Sequence, residues 1–337
     1  MKFPALSRRS PARRATLRAA TGITLFAAIA LAFPAWAQKN YPSKPVKLVV
    51  GFPPGGSNDI VARIITPALS EILGAQVIVD NRAGASGILA AGQVAKSVPD
   101  GYTLMLSSAS PLVIAPHTLG KLPFDVNRDF LAINTVGLTP EAVAVGPNTS
   151  VKSFKELIEL SKTQDVTISS SGNGGLPHLT IELLKQASKG RIIHVAYKGA
   201  GPAITDTLAG HVNAVTMDLT ALIPFIRDGR LKPLAVTSDK RVDFLPQVPT
   251  VQEEGLPSFS AVNWLGIFAP AGTPKSIIDQ LHAAIEKVMA NPQVRAQLTT
   301  AAVIPNTSAS PQAFQAFVAQ ENKRWARVVT DSGAKSD

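Results

Sequence analysis

The sequence predicts an α/β protein folded as two lobes with a cleft between them. Three observations carry this. Short β-rich runs alternate with helical stretches, the pattern of a mostly parallel sheet flanked by helices. Two Gly-rich turns, within Gly51–Ser57 and Ser171–Gly175, each join a strand to a helix. Two short apolar segments containing Gly or Pro, near Val136–Pro140 and Phe259–Gly266, read as crossings from one lobe to the other and back. With these crossings the C-terminal helices pack onto the N-terminal lobe.

The first 37 residues are predicted to lie outside the fold. Lys2, Arg8, Arg9, Arg13, Arg14 and Arg18 form a basic stretch without an acid, Ala19–Phe33 is an apolar run of 15 residues, and Ala35-Trp36-Ala37 is a small-x-small cleavage site. This is a secretory leader, cleaved near Ala37/Gln38 to give a periplasmic protein. A span would need ~20 apolar residues. Arg13-Arg14 resembles a twin-arginine signal only weakly, and general secretion is favoured. The chain carries 33 basic and 23 acidic residues. Without the six leader bases the balance is 27 to 23, net +4. No Lys/Arg-rich run survives and aromatics are few, so a nucleic-acid footprint is absent. With no cysteine, disulfides and thiolate chemistry are excluded, and stability must come from a large core, which the 300 remaining residues can supply.

The elements follow in order. Val46–Val50 (VKLVV) reads as a buried strand. Ile60, Val61, Ile64, Ile65, Ala68, Leu69, Ile72 and Leu73 then recur at helical spacing. Further strands are predicted over Val77–Asp80, Thr103–Ser107, Ala142–Val145, Val166–Ser169, Ile192–Ala196, Ala214–Met217 and Leu234–Thr237. Helices are predicted over Ser86–Ala95, Ser153–Leu160, His178–Ala187, Pro202–Leu208, Leu219–Asp228, Ser276–Ala290 and Pro311–Val329.

Catalytic and metal motifs do not occur. There is no G-x-S-x-G elbow and no H-E-x-x-H, and the five histidines are scattered. Gly172–Gly175 lacks the third glycine of a dinucleotide fingerprint, and Gly51–Ser57 lacks the lysine of a phosphate loop. No cofactor or metal is expected.

Binding features are better represented. Pro54, Gly55, Gly56, Ser57 and Asp59 place a helix N-terminus, with its unpaired N–H groups, at the carboxyl end of a strand, a place suited to an anion. Ser171, Gly172, Asn173 and Gly174 repeat that arrangement before a helix opening at Pro177. A Gly turn alone more often serves only the turn; two, one per lobe, make a clamp as plausible as the structural reading. Ser108 and Ser110 follow a strand and offer hydroxyls to a carboxylate, or cap a loop. His178 in a first helical turn reads first as a structural hydrogen bond. Tyr197, Lys198 and Gly199 end a strand at the cleft; Asp218 ends another, where it caps a helix or selects ligand charge.

Taken together, GFPPGGSNDIVAR, VIVDNRAGASGILAA, PDGYTLML, SSGNGGLPHL, YKGAGPAITDTLAGHV, AVTMD, PFIRDGRLKPLAVTSDKR, FLPQVPTVQEEGLPSF and WLGIFAPAGTP resemble the Bug family, the extracytoplasmic solute receptors of tripartite tricarboxylate transporters. The resemblance runs from about Tyr41 to the C-terminal helix. It implies a two-lobed periplasmic-binding-protein fold (type II), with lobe 1 at 38–138 plus 264–337 and lobe 2 at 139–263. It implies a monomer that closes by a hinge around one small organic acid and hands it to an integral membrane permease. Mapped onto this chain, the pocket loops are Pro54–Asp59, Ser108–Ser110 and Ser170–Gly174, with Tyr197–Gly199 and Asp218 near the rim. Gly51 and Ala132 stand where many members have proline. Two other readings remain: a secreted hydrolase or isomerase of a small carboxylate, which would need a nucleophile or base with an orienting partner, and a periplasmic sensor subunit.

Overall fold

The computed structural model describes residues 41–257 and 259–333, together with Met1. The leader and cleavage site expected within residues 1–37 lie outside the described residues. A compact unit begins at Lys44. Its elements are β1 (Val46–Val50), α1 (Ser57–Leu73), β2 (Val77–Asn81), α2 (Ile88–Ala95), β3 (Thr103–Ser108), α3 (Ala115–Thr118), α4 (Val126–Asp129) and the long β4 (Phe130–Val145). Then come α5 (Phe154–Thr163), β5 (Val166–Ser170), α6 (Leu176–Ser188), β6 (Ile192–Ala196), α7 (Ala200–Ala209), β7 (Ala214–Asp218), α8 (Leu219–Arg227) and β8 (Lys232–Val236). The chain ends with β9 (Val262–Pro270), α9 (Lys275–Ala290), α10 (Pro292–Thr300) and α11 (Pro311–Ser332).

The strands form one curled mixed sheet in the order β2-β1-β3-β9-β4-β7-β5-β6, with β8 also paired to β4. Each half has a parallel trio, β2-β1-β3 and β7-β5-β6. The central strand of each trio is buried on both faces: β1 and β5 are each buried at four of their five positions. Antiparallel β9 and β4 join the halves. Phe130–Pro140 of β4 pairs with β9, and Glu141–Val145 pairs with β7.

The segments predicted as crossings are therefore strand. Val136–Pro140 lies inside the 16-residue β4, and Pro140 faces Val262 where β9 opens. Glycines hid the strand character of these crossings. A Cβ on Gly266 would come within 2.2 Å of Phe314 Cζ, and one on Gly137 within 2.4 Å of Val303 Cγ1. Both strands lack a side chain there because the C-terminal segment lies flush on them. Phe314 packs 5.1 Å from Phe268 and 5.8 Å from Trp264, centroid to centroid, seating α11 on the first half. The helix α10 and the helical stretch Ser110–Thr118 were not predicted.

Candidate functional site

The first turn, after β1, is fixed by close packing. A Cβ on Gly51 would lie 2.7 Å from the Gly87 backbone. Gly56 is the N-cap of α1 (φ −79°, ψ 163°) and no side chain caps the helix, so the first-turn N–H groups face outward. Around them is a recess of about 40 Å³ between the two halves, lined by Gly56, Ser57, Asn58, Ser108, Asp218 and Asn263 among others. It adjoins an outer cavity of about 710 Å³, with Phe52, Pro53 and Ser171 common to both.

Two donors in the recess have no partner. Asn58 Nδ2 and Ser108 Oγ are buried and make no hydrogen bond. Opposite them, Asp218 accepts from Asn263 Nδ2 at 2.9 and 3.1 Å, while Asn263 Oδ1 accepts from the Ala109 N–H. Asn263 thus ties the end of β3 to the end of β7. Burial pushes the Asp218 carboxyl up to about 6, against the hydrogen bonds of Asn263 and Ser57. Beside Asp218 in the ladder is Glu141. It is fully buried, and its carboxyl has no hydrogen bond of ordinary geometry, only the Thr180 hydroxyl close by, which works to lower its pKa. Burial first, then the charge of Asp218, raises its pKa well above 4.5, so Glu141 is held as the neutral acid.

The residues singled out in the sequence divide between the two spaces and the surrounding frame. Gly56, Ser57, Ser108 and Asp218 line the recess; Gly172, Asn173, Tyr197, Lys198 and Gly199 line the outer cavity; Ser171 lines both. Six line neither. Pro54 and Gly55 are exposed at the turn's tip. Asp59 is buried and spent within the fold: it accepts from the Gly55 N–H at 3.0 Å and Asn81 Nδ2 at 2.9 Å and pairs with Arg63. Burial works to raise its pKa, but these bonds outweigh it and leave it lowered. Ser110 Oγ accepts from the Leu176 N–H across the halves, and Gly174 offers its carbonyl to Thr118.

His178 Nδ1 accepts from the Gly174 N–H, and its ring stacks 4.2 Å from that of His194. Burial lowers the pKa of His178, and it brings that of His194 down to about 3. The structural reading of His178 therefore describes it. His194 Nε2 lies 2.6 Å from Ser170 Oγ. This Ser–His pair was not visible in the sequence, and Ser170 is fully buried, so its hydroxyl faces no cavity. Tyr197 Oη donates to Asp206, and burial, then that carboxylate, pushes the phenol up to about 12.

Phe52, Pro53 and Asn263 were not singled out, and Asn58 was named only as part of the Pro54–Asp59 loop. Phe52 and Pro53 lie within the Gly51–Ser57 turn. Asn263 carried a signal, a lone amide in the apolar run Ala261–Phe268, but that run was read as a crossing.

Residues 61–334 match the family model of the tripartite tricarboxylate transporter family receptor. The chain belongs to this receptor family. It is 36% identical over 299 residues to protein BugT of Bordetella pertussis, covering 88% of this chain and 91% of that one. Among solved structures it is similar to a Rhodopseudomonas palustris protein with adipate (32% identity, 87% and 98% of the two chains, TM-score 0.84). It is also similar to MatC from Rhodopseudomonas palustris with bound malate (29%, 86% and 100%, TM-score 0.81). The family, the two-lobed fold and the receptor role expected from the sequence agree with these matches. Among the described residues of this receptor, no helix is long and apolar enough to cross a membrane.

Proposed function

We propose that this chain is an exported receptor that closes over a small organic acid and delivers it to an integral membrane permease. The observation that carries this is the pair of buried, unpaired donors, Asn58 Nδ2 and Ser108 Oγ, beside the uncapped N-terminus of α1. Leaving such groups unsatisfied costs about 1–3 kcal/mol each, and a carboxylate in the recess pairs both while lying on the positive end of the helix. Gly56, Ser57 and Ser108 supply the first wall and Ser171 the covering one. Adipate and malate in two similar structures support the ligand class.

In this reading residues 38–138 with 264–337 form one lobe and 139–263 the other. The hinge falls where Pro140 gives way to Glu141 and where the chain returns at Val262. Thr237 Oγ1 accepts from the Glu141 N–H and lies within bonding distance of the Ala261 carbonyl, so both crossings meet at one hydroxyl. The leader is removed after Ala37, and the receptor works in the periplasm as a monomer without catalysing. Closure follows only because the acid binds the closed form better than the open one.

Calorimetry against a carboxylate panel, after unfolding and refolding to strip retained ligand, tests this. Binding of an acid with a defined stoichiometry supports it; a folded, ligand-free protein that binds none overturns it. Capture of a signalling receptor in place of a permease would reassign the partner to a sensor.

A further inference from the structure

The outer cavity is large and nearly uncharged. Its volume of about 710 Å³ falls in the range of roughly 300–1,000 Å³ that suits drug-sized ligands rather than four-carbon acids. Its wall includes Phe52, Pro53, Ala83, Leu119 and Ala196, and among the described residues Lys198 is the only charged one on it. Lys198 is exposed and has neither an ion pair nor a hydrogen bond among the described residues. Ser86, another polar group there, already donates to the Asn173 carbonyl. A short polyacid would leave most of this space to water and most of its charges unmatched. One anionic group is satisfied in the recess; the cavity beyond offers apolar contact and, at its mouth, a single cation.

We propose that this receptor is built for an elongated diacid: one carboxylate in the recess, an uncharged apolar body along the outer cavity, and a second anionic group at Lys198. This rests on the carboxylate-receptor reading and adds the length, polarity and far end of the ligand. The stem of Lys198 covers apolar surface while its ammonium stays in water, so it selects by charge without demanding a buried ion pair. Burying a methylene at the usual transfer energy tightens binding about fourfold, so affinity climbs with chain length until the cavity is full.

The test is calorimetry on the refolded chain with malate, the straight-chain diacids adipate, suberate and sebacate, and octanoate as the one-headed control. Suberate or sebacate should bind at least tenfold tighter than malate and at least fivefold tighter than octanoate. Lys198→Gln should bring the suberate-to-octanoate ratio close to one. Ala196→Trp, which narrows the cavity from an exposed position, should weaken sebacate at least fivefold more than malate. Malate binding as tightly as the long diacids, an unchanged ratio in Lys198→Gln, or equal losses in Ala196→Trp would each overturn the proposal while leaving the carboxylate reading standing. Failure of every acid to bind would overturn both.

Discussion

Glu141→Gln tests the electrostatics of the crossing strands. Glu141 is fully buried, its oxygens have only the Thr180 hydroxyl nearby and no bond of ordinary geometry, and its ladder neighbour is another carboxylate. The unfolded chain ionises this group near 4.5, whereas the folded chain holds its proton to well above that. Below pH 4.5 both states are protonated and the contribution is constant. Above it the unfolded state releases the proton first, so folding loses about 1.4 kcal/mol per pH unit until the folded group also ionises. The loss keeps growing with pH for as long as the folded group keeps its proton. Glutamine keeps the shape and never ionises. Its amide exchanges the acid's carbonyl and O–H for a carbonyl and an NH2 group, one donor more, which adds an offset of about 1–3 kcal/mol that pH does not change. Urea unfolding of both proteins from about pH 4.5 to about pH 7 isolates the pH-dependent part of Glu141 and the Asp218 carboxyl coupled to it, because titrating groups that do not interact with Glu141 cancel in the difference. The variant should gain on the parent steadily, by about 1.4 kcal/mol per pH unit while the folded Glu141 keeps its proton. A constant difference would refute the reasoning. A variant that falls further behind as pH rises would mean that Glu141 is ionised and paired.

Four further outcomes are expected. Gly56→Thr keeps a good N-cap in a backbone conformation any residue adopts, with its Cβ no closer than 3.5 Å to Pro53; it should fold with unchanged Tm yet weaken acid binding at least tenfold by calorimetry. Gly266→Ala drives a methyl into the Phe314 ring and should cost about 1–3 kcal/mol or more in urea unfolding, with acid affinity preserved. Asp59→Asn should cost about 1–3 kcal/mol near neutral pH through its lost charge-assisted bonds, a deficit that fades as pH falls below the carboxyl's ordinary 3.8, since the parent's lowered pKa gives stability only above that range. Acid affinity should rise as pH falls from about 8 to about 6, because an anion in the recess favours protonated Asp218, whose folded pKa is about 6; calorimetry in buffers of different ionisation heat should show proton uptake, and a flat profile would exclude Asp218 from the ligand's surroundings.

Much of this was legible because the two halves repeat one local grammar. Buried strand, Gly-rich turn and amphipathic helix are short-range patterns, and β1–α1 and β5–α6 stand close to where periodicity put them. What was illegible depends on partners distant in sequence. β9 and most of β4 looked like punctuation because Gly137 and Gly266 answer to Val303 and Phe314. Asp59 looked like a ligand group because nothing local shows Asn81 reaching it. Asn263 looked like filler because its two tasks, at Ala109 and Asp218, lie 154 and 45 residues away.

The same long-range contacts bear on how firmly the halves hold together. Ser110 meets the Leu176 N–H, Thr118 and Ser86 meet the carbonyls of Gly174 and Asn173, and Asn263 meets the Ala109 N–H. Gly199 comes so near Pro53 that a Cβ there would sit 2.9 Å from its ring. Each neutral hydrogen bond contributes about 1 kcal/mol net, so the contacts across the cleft sum to a few kcal/mol before the ordering of the loops is subtracted. Against that small margin stand Asn58 Nδ2 and Ser108 Oγ, desolvated by the same approach and left unpaired. The halves are therefore close to balanced until a carboxylate satisfies the donors that their contact buries.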